Sequence, residues 1–135
     1  MQNVELAEKV LYRIRVNPDE FRMARWGVLL PPKGLFRRKP GGYTACLAGH
    51  TLLASGYKLT GQDHYMRGRE HVIMEDIPVL AYELLGLTRA EYEHRYEHHG
   101  HVDCTLFCGA ASGLQAVSAF SGLIKASRGE LTRAA

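Results

Sequence analysis

Residues 43–56, Tyr43-Thr44-Ala45-Cys46-Leu47-Ala48-Gly49-His50-Thr51-Leu52-Leu53-Ala54-Ser55-Gly56, decide the fold. Thr44 is an N-cap residue type, and Gly56 is suited to the left-handed turn that ends a helix, so the pattern predicts a helix to about Ser55. Ala45, Ala48, Gly49 and the Cys46 thiol give this helix a side of small groups. Another backbone can approach closely there, and the segment is expected to be the central buried helix.

Upstream, Val4, Ala7, Val10, Leu11 and Ile14 recur at the spacing of one helical face, and Asn17-Pro18 closes that helix. Phe21, Met23 and Trp26 are expected to anchor a turn-rich stretch, with a short strand at Val28-Leu29-Leu30. Residues 31–42, PPKGLFRRKPGG, read as an exposed basic loop. Downstream, residues 57–70 read as loop or a short hairpin. Asp76 is expected to cap a helix that Gly86 ends, and Thr88-Arg89-Ala90-Glu91 matches a capping box for a further helix to about His98. A last helix is expected from Ser112 to Ser127, with Leu114, Val117, Phe120, Leu123 and Ile124 inward. Gly129 would terminate it, and residues 130–135 would be a frayed tail. The fold class is mainly α: one compact domain over 1–135, about five short helices and at most a small β-hairpin.

The bulk properties agree with this. The 135 residues suit one domain, and 46% hydrophobic with 23% charged residues is enough to bury a core without disulfides or metal. Three cysteines, an odd number, point to a reducing compartment, and the N-terminal stretch lacks the apolar run of a signal peptide; a cytoplasmic location is expected. Residues 104–124 carry no formal charge and are long enough to span a bilayer. Gln115, Ser112, Ser118 and Ser121 among them favour a buried core helix instead.

Charge is unevenly spread. Residues 1–69 hold 12 Lys/Arg against 5 Asp/Glu, a balance of +7, whereas residues 70–135 hold 5 against 9, a balance of −4. The basic half contains Arg13, Arg15, Arg22, Arg25 and Lys33, and Arg37, Arg38 and Lys39 of the loop are the candidate partner-binding residues. Such a side attracts an acidic protein, or nucleic acid without sequence preference. The helix pair around Gly86 has the outline of a helix-turn-helix, but Glu91, Glu93 and Glu97 on its second helix would face phosphates, so sequence-specific DNA reading is not expected.

Two constellations are candidates for chemistry. Cys46 at a helix start, where the dipole lowers a thiol pKa, is followed by His101 and Asp103 in the order a cysteine hydrolase or transferase uses. The alternative for Cys46 is small-residue packing. His98, His101, Cys104 and Cys108 bring imidazoles and thiols together as candidate zinc ligands, and Cys46 with His50 would offer a split site; the spacing is not that of a standard knuckle. Phosphate-binding glycine loops and a G-x-S-x-G elbow are absent from the sequence.

Gly41–Tyr57 resembles the C-G-T-x-A-C-x-A-G-W stretch of a family of small proteins of unassigned activity from actinobacteria, their plasmids and phages. An N-P-x-x-F-D-M-x-x-W segment precedes that stretch in the family and an L-L-G-L-T turn follows it. Here they stand as Asn17-Pro18-Asp19-Glu20-Phe21-Arg22-Met23-Ala24-Arg25-Trp26 and Leu84-Leu85-Gly86-Leu87-Thr88. Gly41 replaces the family's first cysteine and His50 its tryptophan. The resemblance implies a phage or mobile-element setting. Together these readings lead to the expectation of a small intracellular accessory protein that binds a macromolecular partner and catalyses nothing. The rivals are a Cys46-dependent hydrolase or transferase and a zinc-stabilised domain.

Overall fold

The computed structural model describes residues 1–30, 42–93, 106–107 and 112–134, with 130–134 described through the backbone alone. Helix α1 spans Val4–Val16; its Asn3 side chain accepts the Leu6 N–H at 3.2 Å, and Val4, Leu6, Ala7, Val10, Leu11 and Ile14 are buried along one stripe. A single 3₁₀ turn, Pro18–Glu20, follows the proline that ends it.

Helix α2 is Leu47–Ala54, and its cap differs from the expectation. Cys46, not Thr44, is the N-cap, with Sγ accepting the Gly49 N–H at 3.4 Å. Thr44 instead lies in strand β2 (Tyr43–Thr44), opposite Val28 of β1 (Val28–Leu29) in an antiparallel ladder. Pairing there holds Thr44 in extended backbone, so the helix starts two residues later. The expected strand at Val28 is present. Gly56 has φ 94°, the left-handed region anticipated for the helix exit. Leu47 to Leu52 are all buried, so α2 has no solvent face across its first six residues.

The stretch read as loop or short hairpin is a three-stranded antiparallel sheet: β3 (Lys58–Gly61), β4 (His64–Arg67) and β5 (Glu70–Val72). Tight turns at Asp63 (φ 53°) and Gly68 (φ 62°) connect them. Strands of three and four residues are too short for alternation to announce them. Tyr65 and Val72 are buried on the inner face.

Helix α3 (Ile77–Leu85) follows a 3₁₀ turn at Met74–Asp76 and buries Ile77, Ala81 and Leu85. Asp76 stands at the N-cap, but its side chain makes no cap bond; Gly86, φ 61°, closes the helix as expected. Gln2 and Asn3 donate backbone N–H groups to the Gly86 and Leu85 carbonyls at 2.9 and 3.0 Å, satisfying acceptors a helix end leaves open. Helix α4 (Arg89–Tyr92) starts with the capping box in full: Thr88 Oγ1 accepts the Glu91 N–H, and the Glu91 carboxylate accepts the Thr88 N–H. Contrary to the expectation of a helix to about His98, α4 ends at Tyr92 with Glu93 as its C-cap, and residues 94–98 lie outside the described residues.

Helix α5 (Gly113–Ala134) corrects two expectations. It runs through Gly129 to Ala134 without a left-handed residue at Gly129, so helical backbone occupies most of the stretch expected to fray. Leu114 is 83% exposed, while Ala116, Phe120, Ile124 and Ser127 form the buried stripe. Their spacing of three to four residues sets the inward face, and Leu114 falls off it. Among the described residues, five helices with small antiparallel sheets make a mainly α fold. The core gathers Val10, Leu47, Leu52, Tyr65, Ile77, Leu85 and Phe120 around α2, each buried apolar side chain stabilising by roughly 1.5–3 kcal/mol.

The small side of α2 is filled as the sequence suggests. A Cβ built on Gly49 would collide with the Tyr65 hydroxyl and the Trp26 carbonyl, which are bonded to each other, Tyr65 Oη donating to Trp26 O at 2.6 Å. Gly49→Ala is therefore expected to destabilise by about 2–3 kcal/mol, as overpacking does. Gly122→Ala, on an open face of α5 with nothing within 4 Å, is expected to stabilise by about 0.5–1 kcal/mol. Urea midpoints of the two variants check both signs.

Candidate partner-binding surface beside the central helix

The β1–β2 ladder brings together the residues that flank the basic stretch 31–41 in sequence. Val28 pairs with Thr44 and Leu29 with Tyr43, and the Leu30 N–H donates to the Gly42 carbonyl at 3.0 Å. The two ends of residues 31–41 are thereby held side by side. Next to this stem, Phe21 bridges Ala45: Arg22 N–H donates to Ala45 O and Ala45 N–H to Glu20 O, both at 3.0 Å. Arg22 is exposed and, with Asp19, Phe21, Leu30 and Thr44, lines an open hollow of about 400 Å³ at the stem's base.

Beneath the hollow lies a polar cluster. Arg13, late in α1, donates from Nη2 to the Tyr43 hydroxyl at 2.8 Å. The His50 ring sits 6.0 Å, centroid to centroid, from both Phe21 and Tyr43, and its Nε2 is 2.7 Å from the Glu20 carbonyl. A carbonyl only accepts, so Nε2 carries the proton. Burial is the largest influence on His50 and lowers its pKa, the nearby Arg13 charge also lowering it, while the bond to Glu20 opposes both. Burial likewise raises the Tyr43 phenol, the Glu20 carboxylate adding to it, so it stays protonated and can accept from Arg13. Among the described residues, Arg13 Nε, Thr44 Oγ1 and His50 Nδ1 are buried without a hydrogen-bond partner. Arg13, Glu20, Tyr43 and His50 were legible only as unrelated residues, since nothing in their spacing brings α1, the 3₁₀ turn, β2 and α2 together. The His50 ring is directed at Glu20 rather than into a shared site with Cys46.

Cys46 is buried, 1% exposed, with Sγ held between the Gly49 N–H and the Trp26 carbonyl 4.0 Å away. Desolvation pushes the thiol up to about 11, outweighing the bond from Gly49 that lowers it. A helix-start nucleophile needs the opposite shift. Arg37, Arg38, Lys39, His98, His101, Asp103, Cys104 and Cys108 lie outside the described residues. Among the described residues no group of three or more His, Cys, Asp or Glu side chains is placed to hold a metal ion, and no helix is long and apolar enough to cross a membrane.

No protein-family model, curated protein or solved structure matches the chain.

Two outcomes are expected from this geometry. At pH 7 a thiol with pKa about 11 is ionised in about one chain in 10⁴. In a Cys104→Ser/Cys108→Ser variant, Cys46 should resist iodoacetamide until the protein unfolds; rapid native labelling would contradict its burial. For His50, a base whose folded pKa is lowered takes its proton more readily when unfolded. Its contribution is thus whole above the unfolded pKa of about 6.5 and declines as pH falls below that value. His50→Phe should cost about 1–3 kcal/mol at pH 7, because Glu20 O loses its donor. The difference from wild type should shrink toward pH 5 in urea titrations.

Proposed function

We propose that this chain is a small accessory protein that works by binding an acidic protein partner with the side built around the β1–β2 stem. The supporting observation is an exposed arginine, Arg22, unpaired among the described residues, at the base of the stem. Arg67, Arg89 and Arg128 each pair with a glutamate, at 3.5, 2.9 and 2.5 Å. Arg15, Arg22 and Arg25 are exposed and have no ion-pair partner among the described residues. Arg22 stands at the base of the stem whose ends lead into Arg37, Arg38 and Lys39. Such an unpaired arginine at the base of a stem that adjoins the basic residues 33–39 in sequence raises the local concentration of anionic partners and speeds encounter. The buried, un-ionised Cys46 favours a packing role over the hydrolase or transferase reading. The phage or mobile-element setting implied by the family resemblance fits an accessory role of this kind.

The test is affinity capture from nuclease-treated extract of the cell that carries the gene. Wild type is compared with an Arg22→Ser/Arg37→Ser/Arg38→Ser/Lys39→Ser variant. A captured acidic protein, lost with the variant and released by raising salt from about 0.1 to 0.5 M, is the expected result. Equal capture by both chains, or capture that nuclease abolishes, would overturn the proposal.

A further inference from the structure

The outer face of the β3–β4–β5 sheet carries a feature that the partner-binding reading does not use. The inner face buries Tyr65 and Val72, and alternation along the strands puts Thr60, His64, Met66 and His71 on the opposite face. His64 Nε2 lies 3.2 Å from His71 Nδ1, with ring centroids 5.2 Å apart. Met66 is the register partner of His71, so the two Cβ atoms are about 4.5–5.5 Å apart.

We propose that this face binds a late transition-metal ion, copper in preference to others, through His64 Nε2 and His71 Nδ1, with the Met66 thioether as a third, soft donor. Two metal–nitrogen bonds of about 2.0–2.1 Å spanning the observed separation subtend about 99–106°, near the tetrahedral angle. A small turn of the two solvent-facing rings points both lone pairs at one ion.

Thr60 sets the tautomer that such binding requires. Its hydroxyl is oriented to donate to the His64 carbonyl at 3.3 Å, and the same oxygen contacts His64 Nδ1. With its proton given to the carbonyl, Thr60 Oγ1 accepts from Nδ1–H, so the Nε2 lone pair accepts from His71 Nδ1–H, and a metal replaces that proton as His71 takes its Nε2–H tautomer. A hydrogen-bonded second ring nitrogen is the usual support of a histidine ligand. Two imidazoles beside a thioether, with no carboxylate among the three, select copper over magnesium or calcium, and copper(II) heads the order of divalent affinities.

The experiment is copper(II) titration of the full chain followed by calorimetry and electron paramagnetic resonance. It uses a His94→Gln/His98→Gln/His99→Gln/His101→Gln background to remove the other imidazoles outside the sheet and α2. One equivalent bound with nitrogen hyperfine structure is expected. His64→Gln or His71→Gln should each weaken it at least tenfold without changing the metal-free melt, and Mg²⁺ should not compete. Met66→Leu should weaken copper(I) more than copper(II). Loss of all binding in the four-glutamine background, or unchanged affinity in both single variants, would overturn the proposal.

Discussion

At Gly49 the backbone of α2 is met by the Trp26 carbonyl and the Tyr65 hydroxyl, which are bonded to each other and leave no room for a side chain. Three segments distant in sequence converge on that point: the turn-rich stretch before β1, the central helix and the middle strand of the sheet. The Cys46 thiol, one turn earlier, lies against the same Trp26 carbonyl and caps the helix through Gly49. Close approach of backbone replaces side-chain interdigitation here, and it works only because the residues on this side of α2 are small. The opposite sides of α2 take α1 and α3, so removing the contact would loosen every layer.

The proposed binding surface takes its position from this arrangement. Residues 20–22 run beside Ala45 and hold the start of α2, while the His50 ring, one turn into the helix, reaches back to the Glu20 carbonyl. The β1–β2 stem is thereby fixed to the core, and Arg22 stands at its base. Beneath it, polar atoms of Arg13, Thr44 and His50 have no partner among the described residues, whereas most buried polar groups find one. A surface held by the core in this way has less ordering left to do on binding a partner.

Much of the helical framework could be read from the residues. The α1 stripe, Gly86 as a helix stop and the Thr88–Glu91 capping box follow local rules that tertiary contacts did not override. The N-cap of α2 was misplaced because β-pairing claimed Thr44, a long-range event that propensity cannot register. Leu114 and Gly129 were misread for a related reason: α5 takes its phase from Ala116, Phe120 and Ile124 packing inward, and the helix outlasts the cost of one glycine, about 1 kcal/mol. The three short strands were illegible beyond a hairpin, since each holds at most four residues. Of the site, single basic residues were visible, but the Arg13–Tyr43–His50–Glu20 cluster exists only through the fold, as does the meeting of His64 with His71 across two strands.

If α2 with its Gly49 contact is the element on which the others depend, its backbone should open only when the whole molecule does. Stability within a fold is uneven, and amide exchange resolves it residue by residue. Native-state hydrogen exchange by NMR is therefore the most direct measurement. The amides of His50, Thr51 and Leu52 should exchange slowest, with opening free energies equal to that of global unfolding, while those of β1, β2 and α5 open at lower cost. Exchange of the α2 amides well ahead of α1 or α5 would contradict the central place given to this helix.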